Sequence, residues 1–248
     1  MLVATDNGHG QETSGKRTPP FPDGSVMKEN TFNRAVVGYL IAELERNGFD
    51  TVNVAPEMTD TALSVRTTRA NNAGADIYIS VHANAFGNGW NDANGIETLV
   101  YSVGDNEQTQ LAKLVQAKLI AETGLKDRGV KERTDLAVLR DTKMPAILCE
   151  CGFMTNRKEA ELLRSDDYRR KVAKAICQGV CAYYGKKYVA EVTTLEKRYD
   201  TINELPYGKE TITKLVADGV LYGDKDGKLN LSEDMLRVFM VLDRKGVL

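Results

Sequence analysis

The chain has 248 residues, of which 42% are hydrophobic and 27% are charged, and its formal net charge is −2. This length and composition suit a globular protein with one large domain, or one domain and a small appendage. The balanced charge gives no electrostatic basis for binding nucleic acid, and no apolar run reaches the roughly 20 residues that span a bilayer.

Short strand patterns and amphipathic helical patterns alternate along the first 185 residues. Strands are predicted for LVAT (2–5), TVNVA (51–55), DIYISVHAN (76–84), GIETLVY (95–101), LAVL (136–139) and AILCEC (146–151). Helical periodicity covers residues 32–44, 63–72, 111–119 and 168–184. This alternation predicts an α/β fold with helices on both faces of a sheet.

A second, smaller module is predicted at the C-terminal end. Residues 188–198 are polar and charged and form a predicted linker after a domain of residues 1–187. Two amphipathic helical patterns follow within residues 199–248, one around Ile212 and Leu215 and one from Met235 to Leu242. We therefore expect a small helical module there.

The two histidines of the chain both lie at the ends of strand patterns. His9 lies between two glycines just beyond the first strand, and His82 lies near the end of the third. Ligands bind at the carboxyl ends of the strands in such sheets, so the two imidazoles are candidates for one site. Glu29 is the candidate third ligand, and two imidazoles, one carboxylate and an open position are typical of catalytic zinc. Alternatively, Glu29 is an acidic residue favoured at a helix N-terminus by the helix dipole.

A carboxylate also interrupts the apolar strand AILCECGF. Glu150 is costly to bury unless it is paired, hydrogen-bonded or close to a cation. Strand alternation points it away from Cys149 and Cys151, so it can face a site. The alternative is a buried acid paired with an arginine.

The chain has four cysteines, Cys149, Cys151, Cys177 and Cys181. We expect reduced, buried thiols that act as small hydrophobic side chains, while a metal cluster or a disulfide remains open.

Five segments carry a family resemblance, and they occur in this order: DNGHG (6–10), KENTFN (28–33), ISVHANA (79–85), GLKDRGVKERTDLAVLR (124–140) and MPAILCECGFMTN (144–156). From residue 2 to about residue 185 the chain resembles the zinc-dependent N-acetylmuramoyl-L-alanine amidases, which cut peptidoglycan between muramic acid and the stem peptide. The resemblance implies one Zn²⁺ per chain bound by His9, Glu29 and His82, with Glu150 as the catalytic acid/base. It also implies an α/β fold with a mixed, mostly parallel sheet.

Further residues are candidates for binding the substrate. Arg66, Arg128 and Arg133 could bind carboxylates of the stem peptide, because the planar guanidinium suits that group. Asn84 could orient a metal ligand. The ordinary alternatives are surface salt bridges for the arginines and a strand-end turn for the asparagine.

The C-terminal module has two open interpretations. The segment LYGDKDGKLNLSE (221–233) resembles a single S-layer-homology repeat, a wall-anchoring type, and the alternative is a module that packs or forms homo-oligomers. The same segment resembles an EF-hand loop, but Tyr222 would stand at its first ligand position, so calcium is not predicted.

The function predicted from these residues is hydrolysis of the bond between N-acetylmuramic acid and L-alanine by a phage or prophage endolysin. A zinc peptidase acting on stem peptides and a non-catalytic wall-binding protein are the alternatives. Residues 1–5 show no signal peptide, so we expect synthesis in a bacterial cytoplasm. Release to the wall would then follow a holin-type or another non-classical route.

Overall fold

The chain divides into two units, Met1–Glu191 and Val192–Leu248. A computed structural model describes residues 1–191 and 198–247. None of the helices in this described part combines the length and the apolar character needed to cross a membrane.

The first unit alternates strands and helices as the sequence predicts. Its elements are β1 (Leu2–Asn7), α1 (Glu29–Arg46), β2 (Asp50–Asn53), α2 (Leu63–Ala73), β3 (Ile77–Asn84), β4 (Ile96–Val100), α3 (Glu107–Thr123), β5 (Asp127–Glu132), α4 (Ala137–Arg140), β6 (Ala146–Phe153), α5 (Arg157–Arg164) and α6 (Asp166–Tyr183). The six strands form one sheet in the order β2-β1-β3-β6-β4-β5. Every neighbouring pair is parallel except β4 with β6, which confirms the predicted mixed, mostly parallel sheet.

Helices cover both faces of this sheet. One apolar core contains Phe32 of α1, Val115 of α3 and Ile176 of α6, all fully buried. A smaller core on the other face contains Ala70 of α2 and residues of α4. On the first face α3 and α6 approach closely at Gly179, where any side chain would collide with the backbone of Val115.

Three elements differ from the sequence-based prediction. The predicted strand LAVL is wrong, because residues 137–140 form the short helix α4, in which the Leu136 carbonyl accepts hydrogen bonds from the amides of Leu139 and Arg140. Strand β5 was not predicted, since it lies at the sheet edge and its sequence DRGVKE is mostly polar. Helix α5 was also missed; Asn156 caps its N-terminus by accepting hydrogen bonds from two backbone amides.

The four cysteines lie in the core of the first unit. Cys149, Cys151, Cys177 and Cys181 are all buried free thiols. Burial raises the pKa of Cys149 to about 12, so this thiol stays protonated at neutral pH.

The first unit ends beyond the predicted boundary at residue 187. The Tyr188 hydroxyl donates to Glu43 at 2.6 Å, and the Val189 amide donates to Asn47 at 2.6 Å. These contacts hold the beginning of the predicted linker against the end of α1. Residues 192–197 of that linker lie outside the described residues, and Arg198 belongs to the first strand of the second unit.

The second unit has a small core of its own. It contains β7 (Arg198–Tyr199), a 3₁₀ turn (Ile202–Glu204), α7 (Lys209–Ala217), β8 (Leu231–Ser232) and α8 (Glu233–Arg244). The two predicted helices are present, and the antiparallel pairing of β7 with β8 was not predicted. The buried apolar residues are Tyr199, Leu205, Ile212, Leu215, Leu231 and Leu236.

Candidate active site

The loop that follows β1 explains why a histidine stands between two glycines. His9 adopts a left-handed backbone conformation, with φ of 64°, and a side chain at Gly8 would collide with the ring of His82. A side chain at Gly10 would collide with the backbone of Asp60. Asn30 holds the loop in place, because its side-chain amide donates to the carbonyls of Asn7, Gly8 and His9 at 2.8–3.1 Å. The glycines therefore let the loop pass close to its neighbours while it presents His9.

Glu29 joins the two histidines into one cluster. It is the first residue of α1 and is 2% exposed. One carboxylate oxygen, Oε2, lies 3.3 Å from His9 Nε2, and the other, Oε1, lies 2.9 Å from His82 Nδ1. The His82 side chain projects from β3, and its ring stands edge-on to that of His9 with centroids 4.9 Å apart. One potential ligand atom from each residue lies within 4.8 Å of the other two, so these three residues form a candidate metal site.

The cluster keeps His9 in the form that binds metals. Burial lowers the pKa of His9 to about 4, although the Glu29 carboxylate acts in the opposite direction. His9 is therefore neutral at pH 7, as a metal-binding imidazole must be. Burial disfavours the charged form of His82, but its contact with Glu29 outweighs this effect and raises its pKa. Burial of Glu29 acts to raise the pKa of its carboxyl group, but the contact with His82 outweighs this effect, so the pKa is lowered.

Glu150 lies beside this cluster on the neighbouring strand. The register of β3 and β6 pairs Glu150 with His82. Its Oε2 atom is buried and has no hydrogen-bond partner among the described residues. Burial raises the pKa of Glu150 to about 7, opposed by His82 and reinforced by Glu29 and Glu97. A carboxyl group with this pKa can both accept and release a proton near neutral pH.

A cavity of about 480 Å³ opens onto His9, His82 and Glu150. Part of its wall is apolar, and those residues are Ala62, Leu63, Leu99, Leu136, Ala137, Val138 and Leu148. A second cavity of about 350 Å³ is lined by Glu29, His82 and Glu150. A substrate can therefore reach the cluster through these two cavities.

Arg66 lines the larger cavity, but its guanidinium is bound to other groups of the protein. Its side chain is 1% exposed, which rules out the expected alternative of a surface salt bridge. Its guanidinium donates to Asp6 at 2.5 Å, to Asp60 at 2.8 Å and to the His9 carbonyl at 3.3 Å. Asp6 was not identified from the sequence, because it stands in β1 beside the polar residues Thr5 and Asn7 and does not interrupt an apolar run. Arg66 and Asp6 therefore support the His9 loop from within the protein.

The remaining candidates for substrate binding differ in whether they line one of the two cavities. Arg133 lines the larger cavity, but its Nε and Nη2 atoms both donate to Asp135 at 2.8 Å. Asn84 lines the smaller cavity and donates to Glu97 at 3.1 Å. Arg128 lines neither cavity and binds Glu97 at 2.6 Å. Asn84 and Arg128 thus meet at Glu97, which faces Glu150 in the register of β4 and β6.

A mixed α/β sheet that carries two histidines and two glutamates on adjoining elements, beside an open cavity, is the arrangement expected of a hydrolase. The profile described as N-acetylmuramoyl-L-alanine amidase, Amidase_3, matches residues 3–182, and the chain belongs to this family.

Individual relatives agree with this assignment. The chain is 34% identical over 185 residues to the N-acetylmuramoyl-L-alanine amidase LytC of Bacillus subtilis; the match covers 73% of this chain but only 35% of LytC. It is 32% identical over 204 residues to the endolysin of Bacillus phage SPP1, covering 79% of this chain and 68% of the endolysin. The crystal structure of an N-acetylmuramoyl-L-alanine amidase from Clostridium difficile 630 is similar, with a TM-score of 0.67 and 33% identity. That comparison covers 75% of this chain and 97% of the crystallised one.

Proposed function

We propose that the chain is a zinc-dependent hydrolase that cleaves the amide bond between N-acetylmuramic acid and the L-alanine of the stem peptide. The observation that carries the proposal is the His9–Glu29–His82 cluster with the unpartnered, buried Oε2 of Glu150 beside it. Membership of the amidase family supports peptidoglycan as the substrate.

The donor set fits zinc. Zinc prefers nitrogen and oxygen ligands of this kind, and ligands 2.0–2.2 Å from one ion lie roughly 3–3.5 Å from each other. His9 Nε2 and Glu29 Oε2, 3.3 Å apart, have that spacing. We infer that His9, Glu29 and His82 hold one zinc ion per chain. When bound, zinc lowers the pKa of a water ligand to near 7 and polarises the carbonyl of the amide.

The chain's own residues supply the proton transfer and the positioning. Glu150 Oε2 accepts a proton from water, and the same carboxyl then donates it to the departing nitrogen of alanine. Its pKa of about 7 suits both steps, because neither form is strongly favoured at neutral pH. Arg66 and Asn30 hold the backbone of His9 so that its ring meets Glu29 without reorganisation of the loop.

The substitution Glu150→Gln tests this mechanism. The amide keeps the shape of the side chain but cannot exchange the proton, so we expect zinc content to be unchanged and clearing of purified cell walls to fall at least 100-fold. Turbidity of a wall suspension and metal analysis of the same sample measure the two effects. A variant that retains activity within tenfold of the parent would show that Glu150 is not the proton-transfer group.

We also propose that the enzyme acts as an endolysin, and its similarity to the phage SPP1 endolysin is the observation that favours this role. Expression inside a host cell, with and without a co-expressed membrane pore, tests it. Lysis that depends on the pore supports the role, whereas lysis or export without the pore contradicts it.

A further inference from the structure

The two cavities at the site meet along a shared boundary. Three residues line both of them: Lys16, His82 and Glu150. A substrate whose scissile bond lies beside Glu150 can therefore place one part in each cavity. Lys16 stands at the junction, on the loop between β1 and α1.

The walls of the two cavities differ. The larger one has the apolar surface that includes Leu99 and Leu136, which suits the methyl group of alanine. The smaller one offers the side chains of Ser14 and Asn84, which suit the hydroxyl and amide groups of a sugar. From this difference we infer that the peptide side of the scissile bond occupies the larger cavity. This inference rests on the proposed function.

Among the cations that line the larger cavity, Lys16 is the one whose charge is not neutralised by a neighbour. Arg66 binds Asp6 and Asp60, and Arg133 binds Asp135 through two hydrogen bonds. The Lys16 ammonium has neither a hydrogen bond nor an ion pair with any residue in the described part of the chain. It lines both cavities at the site, and its charge acts over a longer distance on Glu29 and Glu150.

The backbone of Lys16 is held in place. Its carbonyl accepts a hydrogen bond from the amide of Glu29 at 2.9 Å, and the next residue, Arg17, pairs with Lys28 in an antiparallel bridge. The base of the Lys16 side chain is therefore attached to the start of α1, beside a candidate metal ligand. The Lys16 side chain is exposed, while its backbone is fixed by these contacts.

The chemistry of the substrate defines what this cation meets. The lactyl carboxyl of muramic acid is already consumed in the scissile amide, and alanine contributes no charge. The nearest anionic group of the stem peptide is the free carboxylate of the residue after alanine, roughly one residue length (about 3.5 Å) farther along the chain. We propose that Lys16 binds this carboxylate and makes the enzyme select stem peptides whose second residue is the free acid over those in which it is amidated.

Binding to two small muropeptides tests the proposal. The ligands are N-acetylmuramoyl-L-alanyl-D-glutamate and its D-isoglutamine counterpart, which lacks the free α-carboxylate. Titration calorimetry uses the full-length Glu150→Gln protein supplied with zinc, so that neither ligand is consumed. We expect Lys16→Gln to weaken binding of the acid about 5- to 10-fold and to change binding of the amide less than twofold. Added salt should reduce the difference between the ligands, because the contact is partly exposed.

Lys28→Gln is the matched control. It removes the same charge from the same loop, but Lys28 lines neither of the two cavities. Its binding of both ligands should stay within twofold of the parent, and circular dichroism checks that both variants are folded. In kinetics with the otherwise unmodified enzyme, Lys16→Gln should raise KM for the acid and leave kcat unchanged.

The opposing outcomes are distinct. An equal loss for both ligands, or a fall in kcat for both, would mean that Lys16 acts on the scissile carbonyl and not on the carboxylate. No loss for either ligand would also overturn the proposal. If the parent enzyme cleaves neither muropeptide, the proposed function fails, while the calorimetric comparison still decides whether Lys16 recognises the carboxylate.

Discussion

Replacement of Glu150 by glutamine should change how the stability of the metal-free protein depends on pH. The folded protein raises the pKa of this carboxyl from 4.5 to about 7, because its burial disfavours the charge. The folded state therefore binds the proton more tightly than the unfolded state, so ionisation of Glu150 destabilises the fold as the pH rises. Below pH 4.5 the carboxyl is protonated in both states and this cost is absent.

The magnitude follows from the same pKa values. Between pH 4.5 and about 7, at about 1.4 kcal/mol for each pH unit, the cost grows to about 3 kcal/mol and then levels off. Glutamine cannot ionise, so the stability of Glu150→Gln relative to the parent should increase by about 3 kcal/mol from pH 4.5 to pH 8. Any constant penalty for burying the amide displaces the whole curve without changing this difference. Protonation of His9 at low pH affects both proteins and cancels in the comparison.

Urea unfolding in the presence of a chelator, at half-unit steps from pH 4.5 to pH 8, measures the difference. Glu161→Gln is the matched control, because Glu161 is half exposed and pairs with Arg157 and Arg164 on the protein surface. Its stability relative to the parent should stay within about 0.5 kcal/mol across this range. A Glu150→Gln curve that is flat with pH, or that falls as the pH rises, would refute the assignment of a raised pKa to Glu150.

Two further predictions concern the metal site and the second unit. His82→Ala removes one of three metal ligands, so the purified variant should lose its zinc on dialysis while the parent keeps one ion per chain; a variant that still holds one ion would exclude His82 as a ligand. A chain that ends at Glu191 should cleave soluble muropeptides at the parent's rate and lose at least tenfold in activity on whole walls, if residues 192–248 bind the wall or link two chains. Light scattering of the full chain separates these roles, and unchanged activity of the shortened chain on whole walls would contradict both.

The candidate site residues stand out in the sequence because their chemistry conflicts with their surroundings. Glu150 interrupts an apolar strand, His9 follows the first strand, and His82 lies near the end of the third. The structure brings both histidines to Glu29, with the ligand atoms within 4.8 Å, and pairs Glu150 with His82 in the strand register. Such conflicts are local in sequence and need no knowledge of the fold.

The supporting residues could not be identified in this way. Arg66 has the same local pattern as any exposed helical arginine, and only the fold brings it to Asp6, 60 positions earlier in the chain. Lys16 lies in a loop without periodicity, and its importance depends on which other cations have partners. Both cases require long-range contacts that composition and spacing do not encode.

Errors in the secondary structure have a similar cause. The apolar segment LAVL forms a helical turn, since Val138 and Leu139 are both buried against the sheet. Short apolar runs do not distinguish a buried strand from a buried helical turn. Strand β5 is paired on one side only and has polar residues, so its pattern does not differ from that of a loop.

Mass spectrometry of purified peptidoglycan digested by the full chain with zinc tests the central claim most directly. Cleavage of the bond between muramic acid and L-alanine releases intact stem peptides with a free alanine amino group and leaves glycan strands with a free lactyl carboxyl. We predict these products, their loss on addition of a chelator, and their absence from a Glu150→Gln digest. Release of peptides cut between two amino acids, or no release by the zinc-loaded parent, would contradict the account.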